Sequence, residues 1–108
     1  MSDCVFCSIA AGEIPSEVVY SDDLMLVFKD VNPKADVHLV GIPRQHFSDV
    51  AEFSLADSVS CGVFIKKLAE IGRAHGDFKL IFNTGAGVGQ TVFHVHGHIL
   101  AGKITGEV

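Results

Sequence analysis

The sequence predicts an α+β fold: an antiparallel sheet of about five strands, one long helix packed on it and one short helix at the N-terminus. Two observations lead to this prediction. Segments rich in β-branched and aromatic residues outnumber helical patterns, and the short connections between most of them favour antiparallel pairing. The 108 residues are enough for one hydrophobic core, so we expect a single domain over residues 1–108.

The first predicted helix lies at the N-terminus. Ser2 or Asp3 can serve as its N-cap, because their side-chain oxygens accept hydrogen bonds from unpaired backbone N–H groups. The helix is predicted to run to about Ala11, where Gly12 is a stop signal. It would place the two cysteines of a Cys-Val-Phe-Cys sequence one turn apart on the same face.

Three strands are predicted next. Residues 18–20 and 24–28 are rich in β-branched and aromatic residues and are separated by Ser-Asp-Asp, so they should form a hairpin. After a polar loop that contains Pro33, residues 38–43 are predicted to form the third strand, which Pro43 ends.

The long helix is predicted from Leu55 to about His75. Ser54 and Asp57 approximate a capping box at its start, and Gly76 is a suitable stop signal. Its apolar residues recur close to the helical period and would face the sheet. They are Leu55, Val59, Val63, Leu68 and Ile71.

Three of the six histidines alternate along the last predicted strand, which covers residues 93–100 and follows a strand over residues 78–83. Alternate side chains of a strand share one face at a spacing of roughly 7 Å, so His94, His96 and His98 should lie in a row. Imidazole titrates near neutrality and can act as nucleophile, proton donor or metal ligand. The row therefore predicts a reactive or metal-binding face.

Composition argues against several classes of protein. A net charge of −5 and a pI near 5.5 argue against a surface that binds nucleic acid. No apolar run approaches the roughly 20 residues that span a bilayer, and the N-terminus lacks the features of a signal peptide. We therefore expect no membrane association and a cytoplasmic location. The 48% of hydrophobic residues is a weak indication of self-association, and a homodimer would cover an exposed edge of the sheet.

The glycine-rich loop over residues 84–91 could bind an oxyanion. Gly85, Gly87 and Gly89 permit backbone conformations that other residues disfavour, so their N–H groups can surround a phosphate. A simple turn is the alternative, since the Lys-Ser/Thr of a Walker loop is absent. The nearby histidines favour a phosphate. The polar side chains within its reach would be those of Asn83, Gln90 and Thr91.

Cys4 and Cys7 form a Cys-x-x-Cys pair, which is a strong ligand signal only when two further ligands exist. His46 and His94 are candidates to complete a tetrahedral Cys2His2 zinc site. The alternative is a pair of half-buried thiols without a metal. His38 could join the histidine row if its strand is a neighbour in the sheet.

The segment His94-Val95-His96-Gly97-His98-Ile99-Leu100 resembles the His-φ-His-φ-His-φ-φ signature of the histidine-triad (HIT) superfamily, where φ is apolar. Other stretches are similar to its nucleoside-phosphoramidase branch in the bacterial, zinc-carrying form. They are Cys4-Val5-Phe6-Cys7, Glu13-Ile14-Pro15, Phe28-Lys29-Asp30, the stretch from His38 to His46, and Gly89-Gln90-Thr91-Val92-Phe93. There are two departures: Gly97 stands where the signature usually has a bulkier apolar residue, and Gly41 interrupts an otherwise β-branched strand.

The resemblance implies a homodimer whose two sheets join into one. It also implies an enzyme that hydrolyses the bond between a purine nucleoside 5′-monophosphate and an amine. By position, His96 would be the nucleophile that forms a nucleotidyl-histidine intermediate, supported by His98 and His38. Asp30 would accept hydrogen bonds from the ribose hydroxyls.

The remaining roles follow from the same resemblance. Phosphate binding and assistance to the leaving group would fall to Asn83, Gly89, Gln90 and Thr91. A structural zinc, not required for catalysis, would be held by Cys4, Cys7, His46 and His94. Three alternatives remain open: a dinucleoside polyphosphate hydrolase, a nucleotide- or zinc-binding scaffold without catalysis, and a zinc hydrolase with the triad as its ligands.

Overall fold

The computed structural model of the protein describes residues 3–108 and contains a five-stranded antiparallel sheet with helices, as the sequence predicts. No helix within those residues is long and apolar enough to cross a bilayer. The predicted capping role of Ser2 lies outside the described residues. In chain order the elements are α1 (Val5–Ala10), β1 (Val18–Ser21), β2 (Met25–Lys29), β3 (Ala35–Pro43), α2 (Val50–Ala56), α3 (Ser58–Arg73), β4 (Phe78–Ile81), a 3-10 turn (Ala86–Val88) and β5 (Gly97–Ile104).

The strands follow the order β1-β2-β3-β5-β4, so the predicted hairpin of β1 and β2 leads directly into the centre of the sheet. β3 lies between β2 and β5 and pairs antiparallel with both. His98 of β5 is opposite Val40 of β3, two positions from His38. Side chains two positions apart on a strand share a face, so His38 and His98 lie on the same side of the sheet.

The first helix differs from the prediction at its start. Asp3 is not its N-cap; the side chain of Cys4 accepts a hydrogen bond from the backbone N–H of Cys7 at 3.4 Å and takes that place. The helix ends at Ala10, before the predicted stop at Gly12. Gly12 nevertheless adopts a positive φ of 77°, which suits its predicted part in turning the chain.

The predicted long helix is α3, but it begins at Ser58 and not at Leu55, because a separate helix, α2, precedes it and α3 is capped by Asp57. The Asp57 backbone is extended, with φ −153°, and its side chain accepts a hydrogen bond from Ser60 N–H at 3.0 Å. The N-cap of α2 is Asp49, which accepts from Glu52 N–H at 2.8 Å. The predicted capping box is therefore absent, since the Ser54 hydroxyl lies inside α2 and donates to the Ala51 carbonyl.

The predicted apolar stripe of this region is mostly exposed. Leu55, Val59 and Val63 have exposed fractions of 88%, 77% and 51%. A different face of α3 packs on the sheet. Its buried residues are Cys61, Phe64, Leu68 and Gly72. Period alone could not distinguish the two faces, because both are apolar.

Two glycines on paired strands allow α3 to approach the sheet. Gly41 of β3 is opposite Gly97 of β5. A Cβ on Gly41 would lie 2.3 Å from Leu68 Cδ2, and a Cβ on Gly97 would lie 2.9 Å from Leu68 Cδ1. The glycines thus make room for the buried Leu68 side chain, on the face of the sheet that carries the helix. Both departures from the family pattern have this structural reason.

Candidate active site

The sequence predicts that the three alternating histidines share one strand, but in the structure they do not. β5 begins at Gly97, so only His98 belongs to it. The Val95 N–H donates to the Phe47 carbonyl at 2.7 Å and not to a neighbouring strand, which holds the preceding segment out of the sheet. His96 and His98 remain neighbours, with ring centroids 4.9 Å apart. His94 points to a different cluster of side chains.

The His96 ring is fixed by a backbone group. Its Nδ1 lies 2.8 Å from the His94 carbonyl oxygen, which can only accept, so Nδ1 carries the proton and donates. The other ring nitrogen, Nε2, then holds a lone pair. Burial lowers the pKa of His96, although the hydrogen bond to His94 acts in the opposite direction. His96 is therefore a neutral imidazole with Nε2 available as a nucleophile.

His38 and His98 form a chain of hydrogen bonds that begins at the backbone. The Lys34 N–H donates to His38 Nδ1 at 3.0 Å, so the proton of a neutral His38 sits on Nε2. This Nε2 lies 3.0 Å from His98 Nδ1 and donates to it, which leaves the proton of His98 on its own Nε2. Desolvation by burial, followed by the nearby His96 and His38, lowers the pKa of His98 to about 4. His98 is thus a neutral donor.

Asp30 lies beside this chain, with its carboxylate oxygen 3.4 Å from His38 Nε2. The carboxylate favours a charged His38, but desolvation outweighs it and lowers the pKa of His38. Burial thus lowers the pKa of each of the three histidines near Asp30 and favours the neutral form.

A cavity of about 600 Å³ brings His38, His96 and His98 together with Asp30. One part of its wall is apolar and comes from α1, β2 and β3. The side chains there are Phe6, Ile9, Phe28 and Val40. The Phe6 ring lies edge-on to His96, with centroids 4.9 Å apart. Sequence reasoning did not select Phe6, although its place inside the Cys-x-x-Cys pair was a usable signal.

The predicted phosphate-binding residues divide into two groups. Gly89 and Thr91 line the cavity, whereas Asn83 and Gln90 are not among its lining residues in the part of the chain that is described. Gln90 is buried and holds the glycine-rich loop. Its Oε1 accepts from Gly85 N–H at 2.8 Å, and its Nε2 donates to the carbonyls of Ser48 and Val92. The Gln90 side chain therefore shapes the loop.

The predicted metal ligands lie together. His94 Nδ1 is 3.4 Å from the Sγ atoms of both Cys4 and Cys7, and His46 Nδ1 is 3.3 Å from Cys7 Sγ. All four ligand atoms lie within 4.8 Å of one another. Nitrogen and sulfur ligands of a tetrahedral zinc are about 3.5 Å apart, given bond lengths of about 2.0 and 2.3 Å. The donor set and its spacing fit zinc.

The fold explains why ligands so distant in sequence meet. His46 follows the end of β3, and His94 precedes β5, so the pairing of these strands brings both histidines to one end of the sheet. The His94 Nε2–H donates to the Pro43 carbonyl at 2.8 Å, which turns Nδ1 toward the cysteines. α1 supplies the other two ligands from its first turn.

Comparisons with known proteins agree with this geometry. Residues 3–108 match a family described as "Scavenger mRNA decapping enzyme C-term binding". Protein HitA of Neisseria gonorrhoeae is 46% identical over 103 residues, which cover 93% of this chain and 96% of that protein. The purine nucleoside phosphoramidase of Escherichia coli strain K12 is 36% identical over 110 residues, which cover 98% of this chain and 92% of that protein.

A solved structure supports the same assignment. The HIT family hydrolase from Clostridium thermocellum has a TM-score of 0.86 and 36% sequence identity, and the match covers 100% of this chain and 97% of that chain. Both the sequence and the fold are therefore similar over nearly their full length. The chain belongs to the histidine-triad (HIT) family of hydrolases.

Proposed function

We propose that the protein hydrolyses phosphoramidates of purine nucleoside 5′-monophosphates through a covalent nucleotidyl-His96 intermediate. The observation that carries this proposal is the hydrogen bond from His96 Nδ1–H to the His94 carbonyl, 2.8 Å long. It leaves the lone pair on Nε2 of a neutral imidazole that lines the cavity. A neutral imidazole needs no separate base before it attacks.

In the first step His96 Nε2 attacks the α-phosphorus and the bond between phosphorus and the amine nitrogen breaks. The amine leaves with a proton that comes from solvent water, and we assign its relay to the hydroxyl of Thr91 at the cavity wall. In the second step water attacks phosphorus, the bond from phosphorus to Nε2 breaks, and the water proton is released. Nucleoside monophosphate and the original neutral His96 result.

His98 would stabilise the charge that develops on the phosphate oxygens. Its proton sits on Nε2 because Nδ1 accepts from His38. Gly89 also lines the cavity, but its N–H already donates to the Ala86 carbonyl at 3.2 Å. Donors fixed in advance around a developing negative charge lower the barrier because they need little reorganisation during the reaction.

The apolar wall and Asp30 would bind the nucleoside. The rings of Phe6 and Phe28 pack edge-on, with centroids 5.8 Å apart, and offer flat apolar surface to a base. A purine has the larger face to bury, which favours it over a pyrimidine. The Asp30 carboxylate is suited to accept hydrogen bonds from ribose hydroxyls. The name of the Escherichia coli relative is consistent with a purine.

A zinc bound by Cys4, Cys7, His46 and His94 would be structural. When bound, it would join α1 to the ends of β3 and β5 and so hold the apolar wall in place. No step of the reaction needs it, because the attacking nitrogen and the phosphate donors belong to other side chains. Thiolate ligands persist in a reducing compartment, so a cytoplasmic location is part of the proposal.

A homodimer is also part of the proposal. β4 is an edge strand of the sheet, and α3 packs next to it. The exposed stripe of Leu55, Val59 and Val63 would be covered by the same stripe of a second copy. Two-fold pairing of the β4 edges would join the two sheets into one and remove the exposed edge.

Turnover of an adenosine 5′-phosphoramidate tests the proposal. We expect AMP to be released by the protein, and turnover to vanish in His96→Ala while AMP still binds. His75→Ala is the matched control, since His75 is exposed and outside the cavity. Full activity in His96→Ala would refute the nucleophile.

Two alternatives give different results in the same assay. Binding of AMP without turnover by the wild-type protein would indicate a scaffold. Faster cleavage of a dinucleoside polyphosphate than of the phosphoramidate would indicate a dinucleoside polyphosphate hydrolase.

A further inference from the structure

The charges of the cavity wall are unevenly paired. Four side chains there carry a formal charge: Lys29, Asp30, Lys34 and Glu107. Lys29 forms an ion pair with Glu17, and Asp30 lies beside a histidine. Within residues 3–108 neither Lys34 nor Glu107 has an ion-pair partner within 4.0 Å. Lys34 is therefore the one lysine of the described cavity wall without an ion-pair partner.

The main chain of Lys34 holds two parts of the site. Its N–H donates to His38 Nδ1, and its carbonyl accepts from the N–H groups of Thr105 and Gly106 at 2.8 and 3.3 Å. The side chain runs along this C-terminal segment, because a Cβ on Gly106 would lie only 3.0 Å from Lys34 Cδ. Hydrogen bonds thus hold both the backbone N–H and the backbone carbonyl of Lys34.

The same segment continues to the glycine-rich loop. The Val108 carbonyl oxygen lies 3.9 Å from the position that a Cβ on Gly89 would occupy, and both Glu107 and Val108 line the cavity. Lys34 therefore belongs to the part of the cavity wall that is formed by the C-terminal segment and the glycine-rich loop. The apolar part, which would bind the base, comes from α1 and β2 instead.

We propose that Lys34 selects phosphoramidates whose leaving amine carries a carboxylate, such as those of amino acids. This inference rests on the proposed function and names the substrate class of the same site. A carboxylate beyond the scissile bond would meet an ammonium group with no competing partner, whereas Glu107 on the same segment would repel it. A neutral amine would gain nothing from Lys34.

Two substrates that differ only in charge test this inference. They are the adenosine 5′-phosphoramidates of alanine and of alanine amide. The measured quantity is the ratio of their kcat/KM values, from which effects common to both substrates cancel. Lys34→Gln should lower the ratio about tenfold, and Glu107→Gln should raise it. Lys103→Gln, which removes an exposed lysine outside the cavity, should leave the ratio unchanged.

An equal loss for both substrates in Lys34→Gln would overturn the inference, because Lys34 would then act on the shared phosphate. An unchanged ratio would overturn it as well. The wild-type turnover of the alanine amide compound reports on the proposed function alone, since that substrate has no carboxylate.

A binding measurement keeps the inference testable without turnover. The dissociation constants of both compounds are compared in His96→Ala and in the double variant His96→Ala, Lys34→Gln. The inference requires Lys34→Gln to weaken the binding of the alanine compound more than that of the alanine amide compound. An equal change for both compounds would contradict it.

Discussion

His38 Nε2 donates to His98 Nδ1 over 3.0 Å, and the direction of this hydrogen bond is set by the Lys34 N–H on the far side of the His38 ring. A backbone amide thereby decides which nitrogen of His98 carries a proton. Such an amide has no alternative protonation state near neutral pH. The donor that we propose for the substrate phosphate is therefore fixed before any substrate binds.

His38→Phe should lower kcat/KM about a hundredfold, since His98 would lose the partner that fixes its tautomer. The tautomer itself is measurable from ¹⁵N shifts of the imidazole. We expect one form with the proton on Nε2 in the wild-type protein and a mixture of both forms in the variant. His75→Phe is the control. A single unchanged tautomer in His38→Phe would contradict the assignment.

Stability should fall as the pH is lowered from 6.5 toward 4. The pKa of His98 is lowered from 6.5 to about 4, so in this window the unfolded chain binds a proton that the folded chain does not. The loss begins near the unfolded value and is complete below the folded one, and it amounts to at most about 3 kcal/mol. Urea unfolding at several pH values measures it.

The contribution of His98 is isolated by repeating the unfolding series with His98→Asn. The free energy of unfolding of this variant should depend less steeply on pH between 6.5 and 4. An identical pH dependence in both proteins would mean that other groups cause the loss.

Gly41→Ala should destabilise the protein by about 1–3 kcal/mol, because the new methyl group would overlap Leu68. Gly62→Ala is the contrasting variant, since a Cβ at that helical position meets nothing within 4 Å and should stabilise by about 0.5–1 kcal/mol. A double-mutant cycle with Leu68→Ala identifies the cause. Gly41→Ala should cost less in that background, and additive losses would exclude the overlap.

Cys4→Ser should lose the zinc and lower Tm by about 10 °C. Metal analysis of the wild-type protein should find about one zinc per chain. Cys61→Ser is the control, because Cys61 is buried in the core and is not one of the four clustered metal ligands. This variant should retain its zinc, whatever its effect on stability.

Val59→Asp should convert the proposed dimer to a monomer, as measured by sedimentation velocity. A carboxylate at this 77% exposed position costs the monomer little but would face its own copy across a two-fold axis. Val19→Asp, at a 44% exposed position on β1, should leave the dimer intact. A wild-type monomer would refute the interface.

The sheet could be predicted from the sequence because each strand carries its own local pattern and turn. The break at Asp57 could not, since an aspartate inside a helical pattern fits equally well on an exposed helix face. The exposed stripe at Val59 has the sequence pattern of a core face, because α3 has two apolar faces and the sequence does not tell which one meets the sheet. Tertiary packing decides between them.

The candidate site divides in the same way. The zinc ligands and His96 came from a resemblance in spacing, whereas the alternation argument for His94 assumed a strand that a hydrogen bond from Val95 to Phe47 prevents. The role of Gln90 in the loop depends on Ser48, which is 42 residues away in sequence. Contacts of this kind are set by the fold and have no local sequence signal.

His94 serves two centres through different atoms. Its ring faces the cysteines, while its carbonyl oxygen accepts from the ring of His96, the proposed nucleophile. Every amino acid has a carbonyl group, so substitution at position 94 can abolish the metal ligand without removing the acceptor that holds His96. The proposed metal centre can therefore be lost without changing the orientation of His96, provided that the backbone path is kept.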